Sequence, residues 1–254
     1  ANFEQGDATA GIQKIEIAAA SGNAAEQDLL GRAYQYGSGV PQDYTQAVEW
    51  FHKAADQGNV DAEVRLGSRY MYGEGVSQDY AQAATWFRKA AAAGSTMGAY
   101  NLALMYRDGN GIARDDSKAQ ALFREAAPRM RKNAEAGNIY AESILGQMYR
   151  GGQGVQRDYV QAAYWYKKAA AQGDGGALYA LGDLYEQGHG VPRDLAMAYV
   201  LYSAAASVTG PAQNDAANDR DAVMGKMTSS QIEAARDLIR HMQLFGLASV
   251  LDAR

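Results

Sequence analysis

Apolar and small residues return along this chain at one fixed spacing. Leu-Gly or its equivalent stands at Leu30-Gly31, Leu66-Gly67, Leu102-Ala103, Leu145-Gly146 and Leu181-Gly182. A tyrosine follows three residues later in every copy: Tyr34, Tyr70, Tyr106, Tyr149 and Tyr185. Counted from the glycine, the recurrent apolar positions are −5, −1, 0 and +3, which gather on one side of a helix at about 100° per residue. Positions −3, +1, +4 and +5 gather on the other side and vary from copy to copy. The pattern predicts a helix A with one buried stripe in each unit. A second run follows it: Ala47, Ala83, Ala119, Ala162 and Ala198, then Phe51, Phe87, Phe123, Tyr166 and Tyr202, with Trp50, Trp86 and Trp165 just before the aromatic in three copies. This predicts a helix B whose rings fill the space between neighbouring units.

Between the two helices lie YGSGV, YGEGV, DGNGI, GGQGV and QGHGV. Their second glycines, Gly39, Gly75, Gly111, Gly154 and Gly190, are 36, 36, 43 and 36 residues apart. Gly-x-Gly before a helix can begin a phosphate-binding loop. Such a loop occurs once, beside Lys and Ser/Thr or inside a strand–helix unit, and five copies with neither feature are turns. The first glycine ends helix A, where a positive φ is often needed, and the second permits the close chain reversal. Asp43, Asp79, Asp115, Asp158 and Asp194 then cap helix B. The odd interval is one period plus seven residues, placed around Ala127 to Gly137, and close to two helical turns, so the register survives a longer helix B. Self-similarity at this period marks a stacked helical solenoid.

Composition narrows the function. Of 254 residues 47% are apolar and only 4 are proline, which suits tightly packed Ala-rich helices. A formal charge of −5 argues against nucleic-acid binding. No stretch reaches the roughly 18 apolar residues of a membrane span. With no cysteine there is no disulfide, thiolate metal site or cysteine nucleophile. The three histidines, His52, His189 and His241, have no second ligand at metal spacing, and His52 is expected on the surface. No Gly-x-Ser-x-Gly elbow occurs. No catalytic, cofactor-binding or metal-binding residue is therefore expected. The run Arg129, Arg131, Lys132 reads as a solvated helix face. The chain begins at Ala1 without methionine, as an exported protein freed of its leader would, or a trimmed one.

The string LGRAYQYGSGVPQDYTQAVEWFHKAADQG (Leu30 to Gly58) and its copies resemble the Sel-one-like repeat family, relatives of the tetratricopeptide repeats. The departures are Glu26, Ala103, Leu122 and Leu201. The resemblance implies an all-α, right-handed superhelical solenoid of antiparallel helix pairs. Residues 1–24 form a half-repeat, marked by Asp7, Ala18-Ala19 and Gly22. Five repeats occupy 25–206 (25–60, 61–96, 97–139, 140–175, 176–206), and 207–254 form a connector and capping helices with a Thr228/Gln231 capping box. In the related fold the variable face of helix A lines a concave groove that binds partners. On that face Arg32, Tyr36, Val64, Met71, Tyr72, Tyr100, Leu104, Arg107, Arg150 and Tyr179 have the aromatic, methionine and arginine character of a protein-binding hot spot. The family implies a monomeric, non-catalytic protein-interaction module of the bacterial envelope, expected in the periplasm. Some relatives are immunity proteins against type VI secretion phospholipases, and an adaptor for envelope complexes is the alternative. Relatives linked to β-lactam binding or hydrolysis are disulfide-stapled, so that association transfers poorly here.

Overall fold

A computed structural model describes residues 2–210 and 212–252, with side chains for 11–210 and 212–251. The Asp7 side chain, expected to cap the first helix B, lies outside the described residues. All regular structure among the described residues is α-helical. The chain forms two compact units, one up to Ala126 and one from Ala127. Unit 1 contains α1 (Asn2–Ala20), α2 (Ala24–Tyr36), α3 (Tyr44–Ala55), α4 (Val60–Tyr72), α5 (Tyr80–Ala92), α6 (Thr96–Asp108) and the start of α7 (Asp116–Glu135). Unit 2 contains the end of α7, then α8 (Ile139–Gly151), α9 (Tyr159–Ala171), α10 (Gly175–Gln187) and α11 (Leu195–Ser207). It closes with α12 (Gln213–Met224), α13 (Ser229–Phe245) and α14 (Leu247–Asp252).

Local chemistry sets the helix ends. Asp43, Asp79, Asp158 and Asp194 each accept hydrogen bonds from two backbone N–H groups of the first helix B turn, satisfying donors that a helix start leaves open. Asn23, Asn59, Ser95, Asn138 and Asp174 cap helix A, Asn23 with two such bonds and the others with one each. Helix A ends on a left-handed glycine, as at Gly73 with φ 70°.

Packing explains the two glycine signatures. A Cβ on Gly67 would lie 2.5 Å from the Phe87 ring, so the Leu-Gly pair is the imprint of helix B's aromatic lying directly on helix A. Gly31, Gly146 and Gly182 meet Phe51, Tyr166 and Tyr202 in the same way. The second turn glycine has a larger task than chain reversal. At Gly75, φ is 77°, and a Cβ would stand 2.2 Å from the Tyr44 carbonyl oxygen. The turn of one repeat thus rests on the first helix B residue of the repeat before it. Gly111 on Tyr80 and Gly190 on Tyr159 repeat the contact.

The seven extra residues sit inside α7. Phe123 and Met130, seven apart, are both fully buried at 0% and 1% exposure, as an insertion of about two turns requires. The helix runs through Pro128, which has no N–H to offer the preceding turn. In unit 2, Ala216 and Val223 of α12 and Val250 and Leu251 of α14 join the core built by α10 and α11. Ala235 of α13 covers Ala196 and Val200, and the Thr228/Gln231 capping box starts that helix.

Candidate partner-binding site

Of the four variable positions on helix A, only +5 is exposed in every repeat: Tyr36, Tyr72, Asp108, Gly151 and Gln187. The tyrosines stand furthest out, at 65% and 63% exposure. Arg32, at +1, is exposed as well. Val64 and Met71 are half-buried and pack on the cluster of Ala83, Phe87 and Met105. Leu104 is half-buried. Arg107 forks onto its neighbour Asp108 through two N–H donors at 2.6 and 2.7 Å, and that bond lowers the Asp108 carboxyl below its usual range.

Position −3 departs from the expectation. Tyr100 is buried, with 3% exposure, its ring 5.5 Å from that of Phe123, so it belongs to the core and not to an open face. Asp28 is also buried, and Arg65 of α4 approaches it to 3.1 Å. Tyr179 donates its hydroxyl proton to Asp219 of α12 at 2.7 Å. Tyr100 thus lies on its own helix B, whereas for Asp28 and Tyr179 the reason is stacking: helix A also meets the helix that follows its repeat. Periodicity along one helix reports the stripe against helix B and misses the second stripe. Arg150, at +4, lies 3.5 Å from Asp183.

The sequence pattern also missed a buried polar position at −4. Gln27, Glu63 and Glu142 are 5%, 7% and 1% exposed. Gln57 donates to Gln27 at 2.7 Å, and Gln172 donates to Glu142 at 2.6 Å. Burial with only a distant Lys89 for company raises the Glu63 carboxyl above its ordinary range. A signal was available: −4 is polar only in the three repeats with Trp-x-x-Lys, where Lys53, Lys89 and Lys168 lie over Trp50, Trp86 and Trp165.

His52, expected on the surface, is half-buried. Its Nε2 is 3.1 Å from the Tyr70 hydroxyl and its ring meets Trp86 edge-on, and burial lowers its pKa. Arg131 binds the Tyr149 hydroxyl at 2.5 Å, so this residue of the basic run clasps the next repeat. His189 stacks on Tyr159. Among the described residues no cluster of three or more His, Cys, Asp or Glu could hold a metal ion, and no helix is long and apolar enough to cross a membrane.

At the start of unit 1, α1, α2 and the following turn enclose a solvent-open pocket of about 410 Å³. Its walls include Ile12, Ile15, Leu29 and Ala33, with Arg32 and Tyr36 beside them. A second pocket, of about 520 Å³ in unit 2, lies between the starts of α8 and α10 and the end of α11 with the segment that follows it.

No curated protein matches the chain. Among solved structures, a protective antigen of uropathogenic Escherichia coli with an SLR fold is 42% identical over 77% of this chain, with a TM-score of 0.52. The chain spans only 40% of that protein's length. A Sel1 repeat protein from Oxalobacter formigenes is 30% identical, covering 80% of this chain and 78% of its own, at TM-score 0.56. A sel1 repeat structure from Klebsiella pneumoniae shares the fold at 24% identity, 84% and 99% coverage and TM-score 0.55. The Sel1 repeat pattern itself matches residues 27–59, 60–95, 96–127, 139–174 and 176–207. With the glycine contacts and caps recurring in the same segments, the chain belongs to the Sel1 repeat family.

Proposed function

We propose that this protein is a non-catalytic interaction module that takes a partner protein on the helix-A face of unit 1. Sel1 repeats commonly serve as protein-interaction modules. The observation that carries the reading is the pair Tyr36 and Tyr72, at equivalent positions one repeat apart and nearly two-thirds exposed. Large apolar side chains gain roughly 1.5–3 kcal/mol on full burial, and tyrosine and arginine dominate binding hot spots. Arg32, Val64 and Met71 share the face, and Leu104 and Arg107 hold its positions in the next repeat. Arg150 and Tyr179 are engaged within unit 2 and are secondary.

A periplasmic location fits this role. The Escherichia coli protein 42% identical to this chain is a protective antigen. Cell fractionation checks the location.

The deciding experiment is affinity capture from the native envelope with wild type beside Tyr36→Ala/Met71→Ala/Tyr72→Ala. One dominant partner, lost in the variant at unchanged helicity, supports the reading. A secreted phospholipase as that partner would make the protein an immunity factor, and a set of envelope proteins would make it an adaptor. Equal recovery by both proteins overturns it.

A further inference from the structure

We infer that the pocket between α1 and α2 receives a large apolar side chain of the partner while Arg32 binds a carboxylate beside it. The partner segment is therefore one in which Leu, Ile, Met or Phe adjoins Asp or Glu. This rests on the binding reading above and gives it a chemistry.

The pocket holds about 410 Å³, near the lower end of ligand sites, and it is open to solvent. That shape suits a side chain projecting from a protein segment better than an enclosed small molecule. Ile12 and Ala33 form a nearly dry wall, at 8% and 7% exposure, while Leu29 and Tyr36 remain 39% and 65% exposed. The apolar surface is thus formed, and the described residues leave it uncovered.

Arg32 supplies the charge. Four other arginines of unit 1 have carboxylates: Arg65 has Asp28, Arg69 has Glu74, Arg107 has Asp108 and Arg114 has Asp116; Arg124 bonds the Gln120 carbonyl instead. Arg32 makes no hydrogen bond or ion pair with any described residue. Asp28, one turn away on α2, is buried and approached by Arg65, and the Arg32 charge acts on it more weakly. A guanidinium beside an apolar wall attracts a carboxylate more strongly than one in open water, and its planar fork can bind both oxygens. The chain's net charge of −5 works against acidic partners in general, so this recognition is local.

The test uses the full chain and a phage-displayed random peptide library. The most enriched peptide is synthesised and its Kd measured by fluorescence anisotropy on wild type, Arg32→Gln, Gly11→Trp and Tyr72→Ala. Gly11 lines the pocket, and a Cβ there meets nothing within 4 Å. Tryptophan at the pocket's edge therefore meets no clash at its Cβ, and circular dichroism and Tm verify that α1 is undisturbed. The expected result is enrichment of apolar–acidic pairs, with binding weakened about tenfold or more by Arg32→Gln and by Gly11→Trp. An Asp→Asn peptide should bind wild type weakly and ignore Arg32→Gln. No enriched peptide, enrichment without acidic residues, or equal binding to both pocket variants overturns the inference, as does a fluorescent fatty acid that fills the pocket while peptides do not. A native partner that Tyr72→Ala loses but Arg32→Gln and Gly11→Trp retain removes this inference and leaves the interaction-module reading standing. Retention by all the variants removes both.

Discussion

The helix-A faces of the two units use one frame to opposite ends. In unit 1, Tyr36 and Tyr72 stand in solvent and Arg32 makes no hydrogen bond or ion pair with a described residue. In unit 2 part of the corresponding face is engaged by the chain itself. Tyr179 is tied to Asp219 of α12, Arg150 faces Asp183, and Glu186 takes both the Tyr202 hydroxyl at 3.0 Å and Lys226 at 2.7 Å. Buried positions are nearly invariant across both units, because Gly67 and Gly182 meet their aromatics alike. The frame thus sets stability, while the residues at −3, +1 and +4 decide how much of a face is left for a partner.

The largest expected effect tests what the units share. Gly75→Ala and Gly190→Ala each push a Cβ into a carbonyl group, at 2.2 and 2.3 Å, from a positive φ. Each should cost about 3–4 kcal/mol in urea unfolding. Gly58→Ala, with φ 81° and nothing within 4 Å, should cost only about 1 kcal/mol. Equal losses at all three would show that backbone conformation, not stacking, selects these glycines.

The next effect separates the faces. Tyr36→Ala/Tyr72→Ala should weaken partner binding by about 3 kcal/mol with little change in Tm, as titration calorimetry and thermal melts would read. Tyr179→Phe should do the reverse, losing about 1 kcal/mol of stability and no affinity. A binding loss from Tyr179→Phe would break the contrast.

The pH response sharpens it. The hydrogen bond to Asp219, and then burial, push the Tyr179 hydroxyl up to about 12. Below about pH 10, the unfolded value, this stabilisation is fully present. As pH rises from there through about 12, the unfolded chain releases a proton that the folded chain keeps, so stability falls. Tyr179→Phe should flatten that alkaline fall in a denaturation series.

Glu63→Gln should stabilise unit 1 by about 1 kcal/mol at neutral pH, because burial raises this carboxyl. A raised folded pKa weakens the fold as pH climbs through it, so the advantage should vanish at acid pH, where both residues are neutral. Smallest of all, Arg150→Gln should change stability by only a few tenths of a kcal/mol, since the Arg150 side chain is 44% exposed in its pair.

How far the residues alone reached follows from the range of each interaction. The aspartate caps, the glycines that end helix A and the buried Leu-Gly stripe depend on residues a turn or two away, and period and spacing display them. The length of α7 was legible too, because an insertion of about two turns returns Met130 to the side of Phe123. Tyr100, His52 and the −4 position were not legible, since their surroundings come from other helices. The repeat frame, its period and its helix boundaries were determined by the sequence, because propensity, capping and turn chemistry act locally. Tertiary structure alone decided that Gly75 rests on a neighbour's backbone, that position −3 turns inward and that Arg32 is left beside an uncovered pocket. Those outcomes depend on which surfaces meet when helices stack, and one helix's periodicity carries no record of its neighbours.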